Sequence, residues 1–227
     1  MRRVKVVGLA ALCGAVVGAL MVGIGKWVLV GLPGFELDRE LKHSWQFVAA
    51  IVGWVSFSLY WEVAGRNAAA AKSAESKGSR GFHVFMTNVA LLLEIAPIRG
   101  LGRVLPMSAG IMTAGVLVEA MGLFLAIWAR RRLGRNWSGE ISIKVEHELI
   151  RSGPYRWMRH PIYTGLLTMY VGCALVTGLW LAVVGLAVMA FAYRRKIRLE
   201  EANLQVVFGA EYEAYRRESW ALVPGVF

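Results

Sequence analysis

The sequence predicts an all-α integral membrane protein of about six transmembrane segments. The last two form a short helical hairpin, followed by an amphipathic C-terminal helix. Three observations predict this. The 227 residues are 57% hydrophobic and only 18% charged, whereas a soluble domain is about one-quarter charged. The apolar residues fall into runs long enough to cross a bilayer, which takes about 20 residues. The basic residues gather in alternate gaps between those runs, the pattern of a positive-inside topology.

Val6 to Val30 reads as the first span, broken only by Lys26. The opening MRRVK before an apolar run also fits a secretory signal, but the run is long and further spans follow. Trp45 to Ala64 is the second, with Trp45, Trp54, Tyr60 and Trp61. Aromatic rings favour the membrane interface, so those near its ends form belts. Residues 65–81, GRNAAAAKSAESKGSRG, are a polar connection. A third, shorter span covers about Phe82 to Ile98 and carries Asn88 and Glu94. The turn RGLGR leads to a fourth, from about Val104 to Trp128, with Glu119 inside it.

A long polar stretch follows from Ala129 to His160, holding eight Lys/Arg and three Glu. The run from Ile162 to Tyr193 is too long for one span and is interrupted at Thr177-Gly178, so it reads as a hairpin of two shorter helices. The tail shows helical periodicity in Ile197, Leu204, Val207 and Phe208, which predicts an amphipathic helix at the membrane surface. The chain thus divides into four N-terminal helices over 1–128 and a core over 129–227.

Orientation follows from counting. With the N-terminus cytoplasmic, 21 of the 26 Lys/Arg fall on the cytoplasmic side. An even number of spans then puts both termini there, in a bacterial inner membrane. A formal charge of +11 would suggest nucleic acid in a soluble protein. Basic residues set beside apolar runs instead fit anionic lipid headgroups, and no nucleic-acid partner is expected. Cys13 and Cys173 lie inside apolar runs, with no metal-ligand spacing around them; both read as packing residues. No metal is expected. His43 reads as a loop residue and His83 as an interface residue. Glu94, Glu119 and Asn88 are intramembrane polar groups and therefore functional candidates.

The densest chemistry is GPYRWMRHPIYTG, residues 153–165. His160-Pro161 is a stiff joint, and Pro161 suits the first turn of a helix. A helix N-terminus attracts anions. Tyr155 and Tyr163 offer ring faces that suit a sulfonium or an adenine. Arg151, Arg156 and Arg159 could equally anchor lipid phosphates, with Tyr and Trp as a belt. Downstream, Lys196 and Glu200 are neighbours on a helix, and Glu201 follows. Carboxylates at a membrane mouth, on the side of a His-Pro turn, could line a polar pocket under lipid.

The pieces HELIRSGPYRWMRHPIYTG, a short apolar hairpin, RRKIRLEEANLQVVFGAEYEAYRR and VPG resemble the isoprenylcysteine carboxyl methyltransferase family, related to phospholipid N-methyltransferases. The resemblance covers about residues 133–227. It implies a membrane enzyme that uses S-adenosyl-L-methionine and methylates a carboxylate of a lipophilic, isoprenylcysteine-like acceptor. Carried over, the cofactor contacts are His147, Glu148, Leu149, Ile150, Tyr155, His160, Pro161, Ile162, Tyr163 and Glu200, with Glu140 beside them. Lys196 stands where the family has an arginine facing the acceptor. Lysine keeps the charge but lacks the two-pronged grip on a carboxylate. Lys196, Glu200 and Glu201 are the candidate catalytic residues. Other acceptors are a phospholipid amine or a small molecule methylated on nitrogen or sulfur. An NADPH-dependent membrane reductase and a non-enzymatic scaffold are the alternatives of other classes.

Overall fold

A computed structural model describes residues 39–66, 71–74, 76–95, 102–137, 142–144 and 148–225. The first expected span lies outside them, as do Cys13, Glu140 and His147. Seven helices occur among the described residues: α1 (Arg39–His43), α2 (Trp45–Gly65), α3 (Lys77–Ile95), α4 (Ala109–Leu133), α5 (Pro161–Thr177), α6 (Trp180–Phe208) and α7 (Ala210–Glu218). The helical class expected from the sequence holds. One small addition is a ladder of β1 (Ala71–Ala74) and β2 (Ser142–Lys144), antiparallel, which ties the α2–α3 connection to the stretch after α4.

α2 and α4 are long and apolar enough to cross a membrane. Their outward faces agree. On α2, Val48, Val52, Val55, Leu59 and Val63 recur every three or four residues and are exposed; on α4, Leu117, Met121 and Phe124 do the same, Phe124 being 69% exposed. Apolar stripes this open belong against lipid, not water. α2 starts where the sequence places it because Ser44 caps it: the Ser44 hydroxyl accepts from the Phe47 N–H at 3.3 Å.

Four boundaries differ from expectation, the simplest being the end of α4 at Leu133, five residues past Trp128. α3 begins at Lys77, five residues early, because Ser76 accepts from the Ser79 N–H and caps a polar first turn. α4 begins at Ala109 and not Val104. Residues 103–105 are used elsewhere: Arg103 bridges Leu179, and the Val104 N–H donates to the Gly178 carbonyl at 2.8 Å. That contact clasps the α5–α6 turn, where Gly178 takes a left-handed φ of 63°. Finally, α6 runs 29 residues, well past Tyr193. No Gly or Pro interrupts RRKIRLEEANLQVVF, so the second hairpin helix and the first part of the tail are one rod. Only Gly209 (φ 50°) breaks it, and the short α7 completes the tail.

α4 and α5 pack along a seam of small residues. Gly115 and Gly122 on α4 face Gly172 and Gly165 on α5. A methyl group placed on Gly165 would lie 2.6 Å from the Gly122 carbonyl oxygen. Backbones in such contact gain dispersion that side chains would deny them, the usual basis of helix association in lipid. The core beside the seam holds Trp54, Met169, Tyr170, Met189 and Tyr193. Glu94 and Glu119 are buried within it at 1% and 2% exposure. Asn88 bonds within its own helix, to the Val84 carbonyl at 2.7 Å.

Candidate functional site

The polar segment before α5 and the extension of α6 beyond Tyr193 meet at the foot of the hairpin. Pro161 is the first residue of α5, and His160 precedes it in a non-helical conformation. A residue before proline is kept out of the helix, so the N–H groups of Arg159 and His160 face sideways. The chain end takes both. Arg159 N–H donates to the Trp220 carbonyl at 2.8 Å, His160 N–H to Ala221 at 3.0 Å, and Trp220 N–H returns to Trp157 at 3.0 Å. This parallel pairing straps residues 219–222 across the His-Pro joint. Thr164 adds a bond from its hydroxyl to the Leu222 carbonyl at 3.1 Å.

Beneath the strap lies the titratable cluster. The Tyr163 hydroxyl donates to Glu200 Oε1 at 2.5 Å. His160 lies between the two carboxylates, its Nδ1 3.5 Å from Glu200 Oε2 and its Nε2 3.4 Å from Glu201 Oε1. Arg159 Nε binds Glu201 at 2.7 Å, and its Nη1 reaches the Ser219 carbonyl. The rings stack: His160 on Tyr163 at 5.6 Å, Tyr163 on Tyr193 at 4.6 Å. Lys196, one turn before Glu200 and buried, places its ammonium 5.8 Å over the Tyr163 ring.

The apolar run of α6 ends at Tyr193, and these carboxylates lie in the charged stretch that follows it. Burial opposes ionisation of Glu201, but bonds from His160 and Arg159 win and hold it down at about 2. Burial likewise opposes charge on Glu200, and His160 with Lys196 outweighs it, leaving Glu200 below its usual range. For His160, burial disfavours the imidazolium, yet the two glutamates raise it above its ordinary value.

The sign of the pH dependence follows. A depressed carboxyl stabilises the fold above its ordinary value of 4.5 and loses that contribution as pH falls toward about 2. A raised histidine contributes fully below 6.5 and loses it as pH climbs through its elevated value. The melting temperature of the purified protein is therefore expected to be highest between those limits. Glu201→Gln should flatten the acid limb of that profile; an unchanged acid limb would refute the clamp.

Other expected contacts are placed as follows. Tyr155 is buried, and its carbonyl accepts the Tyr215 hydroxyl at 2.6 Å. Pro161 and Ile162 are buried at the start of α5. Glu148 is exposed, and Leu149 and Ile150 are half-buried. Three residues that the sequence did not mark as site residues join the cluster. Tyr193 stacks on Tyr163; His83, expected at an interface, lies 5.8 Å from Tyr193; and Arg159, weighed only as a lipid anchor, is the strap's central donor. Position at the exit of a span was the one available signal for Tyr193.

Fold and site together define a helical membrane protein with an acid–base cluster strapped under its last hairpin. Residues 111–211, which take in the α4–α5 seam and the cluster's glutamates, match the phospholipid methyltransferase family. The protein-S-isoprenylcysteine O-methyltransferase of Saccharomyces cerevisiae is 30% identical over 116 residues, 48% of this chain and 47% of that protein. A probable protein-S-isoprenylcysteine O-methyltransferase of Oryza sativa subsp. indica is 32% identical over 113 residues, 48% of this chain and 59% of that one. The chain thus spans about half the length of these curated relatives. A solved eukaryotic intramembrane Ras methyltransferase, an isoprenylcysteine carboxyl methyltransferase, matches at 18% identity with a TM-score of 0.47, covering 84% of this chain and 55% of that chain. That family match takes in somewhat under half of the chain, and the likeness to isoprenylcysteine methyltransferases read from the sequence is borne out.

Proposed function

We propose that the chain is a membrane-embedded S-adenosyl-L-methionine-dependent methyltransferase acting on the carboxylate of a lipophilic, isoprenylcysteine-like acceptor. The observation that carries this is the placement of Lys196 and Glu200 one turn apart beside the Tyr163 ring. The donor set fits the cofactor. Glu200, its side chain 22% exposed, offers a carboxylate to a cation, and stacked aromatic rings flank it. His160, Tyr163 and Glu200 would hold the cofactor, with Glu148, Leu149, Ile150, Tyr155, Pro161 and Ile162 as further contacts. His147 and Glu140 are carried over on the resemblance alone.

When bound, S-adenosyl-L-methionine supplies an electrophilic methyl group on a sulfonium. The chain's own residues do the rest. Tyr163 and His160 fix the rotamer of Glu200, and a group so locked is pre-organised. Lys196 attracts and orients the acceptor's carboxylate. Glu200 and Glu201 are partly exposed, and the loss of their water when cofactor and acceptor bind would strengthen each charge interaction. A carboxylate arrives without a proton and needs no general base. That matters here, because Glu201, held near 2 by its clamp, is a poor base for an ammonium. The same fact weighs against a phospholipid amine as acceptor, the reading the family's description would otherwise favour. We place the site on the cytoplasmic face, with six spans and both termini inside; the distribution of Lys and Arg supports this.

The test is transfer of labelled methyl from S-adenosyl-L-methionine to S-farnesylcysteine, against phosphatidylethanolamine, with NADPH oxidation followed in parallel. Methylation of the amine alone, or a response only to NADPH, would refute the proposal. Lys196→Met should cut kcat/KM for the carboxylate acceptor about ten- to hundredfold, the worth of a charged hydrogen bond. Its dissociation constant for S-adenosylhomocysteine should be unchanged, and Lys196→Arg should retain activity. A Lys196→Met variant of full activity would move the acceptor elsewhere.

A further inference from the structure

A second polar site lies away from the cluster. A cavity of about 440 Å³ opens between the last turns of α2 and α4, lined by Tyr60, Ala64, Arg130, Arg131, Gly134 and Arg135. Two helix C-termini meet here, each carrying about half a negative charge. Arg130 answers that charge. Its Nη1 donates to the Gly134 carbonyl at 2.8 Å, its Nη2 to the Ala64 carbonyl, and its guanidinium lies 4.3 Å over the Trp137 ring. Capping accounts for both Nη atoms and leaves a remainder. Arg130 is 3% exposed, and its Nε is buried without a hydrogen-bond partner among the described residues. Nearly all buried donors in native proteins are satisfied, so this one points to an acceptor that the described residues do not supply. Arg131 and Arg135 stand exposed at the rim. Among the described residues, no acidic side chain lines the cavity, and no ion pair involves either rim arginine.

The geometry points to a binding site for the phosphate of an anionic lipid headgroup, with Arg130, Arg131 and Arg135 as its donors. Guanidinium forks match phosphate oxygens two at a time. Basic pockets at the ends of membrane helices are where such headgroups bind. Lipid is favoured over free phosphate by what adjoins the cavity. Leu59 and Val63, next in sequence to Tyr60 and Ala64, are 65% and 62% exposed and continue the apolar stripe down α2. A headgroup in the cavity therefore has a path for its acyl chains along that stripe, which inorganic phosphate would leave bare. The site is independent of the methyl-transfer reading.

Native mass spectrometry of the detergent-purified protein, titrated with phosphatidylglycerol, phosphatidylcholine or inorganic phosphate, tests it. Phosphatidylglycerol should be retained in preference to phosphatidylcholine. An Arg131→Gln/Arg135→Gln double variant should bind it about thirtyfold more weakly, from the surface attraction typical of two basic residues. Both side chains are exposed, so the variant keeps its fold, and an unchanged melting temperature without lipid verifies that. Equal retention of the two lipids, or equal binding by the double variant, would overturn the assignment. Competition by inorganic phosphate as strong as by phosphatidylglycerol would overturn the lipid and leave a free-phosphate site.

Discussion

On the proposed function, S-adenosyl-L-methionine and S-adenosylhomocysteine should each raise the melting temperature of the wild-type protein, and Glu200→Gln is expected to abolish that rise and to lower methyl transfer by about a hundredfold or more. The substitution keeps the side chain's size and removes its charge. Glu200 accepts the Tyr163 hydroxyl at 2.5 Å and lies 3.5 Å from His160 Nδ1. Hydrogen bonds to a charged group are worth about 1.5–3 kcal/mol each, and two change here. Without the charge, Tyr163 donates to a neutral acceptor only, and His160 loses one of the two anions that favour its protonated form. A ligand that binds only the native state raises stability in proportion to the logarithm of its concentration over Kd, so a weakened site shows directly as a lost shift. Glu213→Gln is the control, since Glu213 forms only an exposed pair with Arg217 at 3.3 Å, worth a few tenths of a kcal/mol. A Glu200→Gln protein that still shows the full shift would remove the cofactor from this cluster. A shift lost with methyl transfer intact would separate Glu200 from the chemistry.

The sequence made the helices legible because bilayer thickness imposes a length on apolar runs. Trp45 to Ala64 reads within one residue of α2. The site was legible to the extent that its residues share an element: Lys196 and Glu200 fall on one helical face by spacing alone, and Glu201 follows them in sequence. What joins elements was not. The pairing of Trp157–His160 with Trp220–Ala221 is made by backbone groups, and backbone groups are the same for every residue type. Nothing in VPG or SWAL announces a strap. The same holds for Arg103 and Leu179 across the hairpin turn. The tail was read as a surface helix because Ile197, Leu204, Val207 and Phe208 repeat with helical period. That period was right, and its continuity with the preceding span was missed. A long stretch of charge looks like an end, but only Gly or Pro ends a helix sterically, and the first to appear is Gly209. The small-residue seam needed partners on two helices before its glycines meant anything.

That seam carries the largest effect expected on stability. Gly172→Ala should destabilise the protein by about 3 kcal/mol, at the upper end of the usual cost of overpacking, and lower its melting temperature by roughly 10 °C. The added methyl would lie 2.5 Å from the Glu119 nitrogen and 2.6 Å from the Gly115 carbonyl oxygen. Both are backbone atoms of α4, so no rotamer relieves the clash and the helices must part. Parting them loosens Gly115, Gly122 and Gly165 at once and shifts Glu119, which is buried. Gly81→Ala in α3 is the informative partner. A methyl there meets nothing within 4 Å, so only helix propensity changes, which favours alanine by about 0.5–1 kcal/mol. The same substitution in two helices should therefore move the melting temperature in opposite directions. Propensity acts in both, so the difference isolates the packing of α4 on α5. If Gly172→Ala also raised the melting temperature, α4 and α5 would not be in backbone contact, and the rigid support that sets the His-Pro joint against Glu200 would have to come from the strap alone.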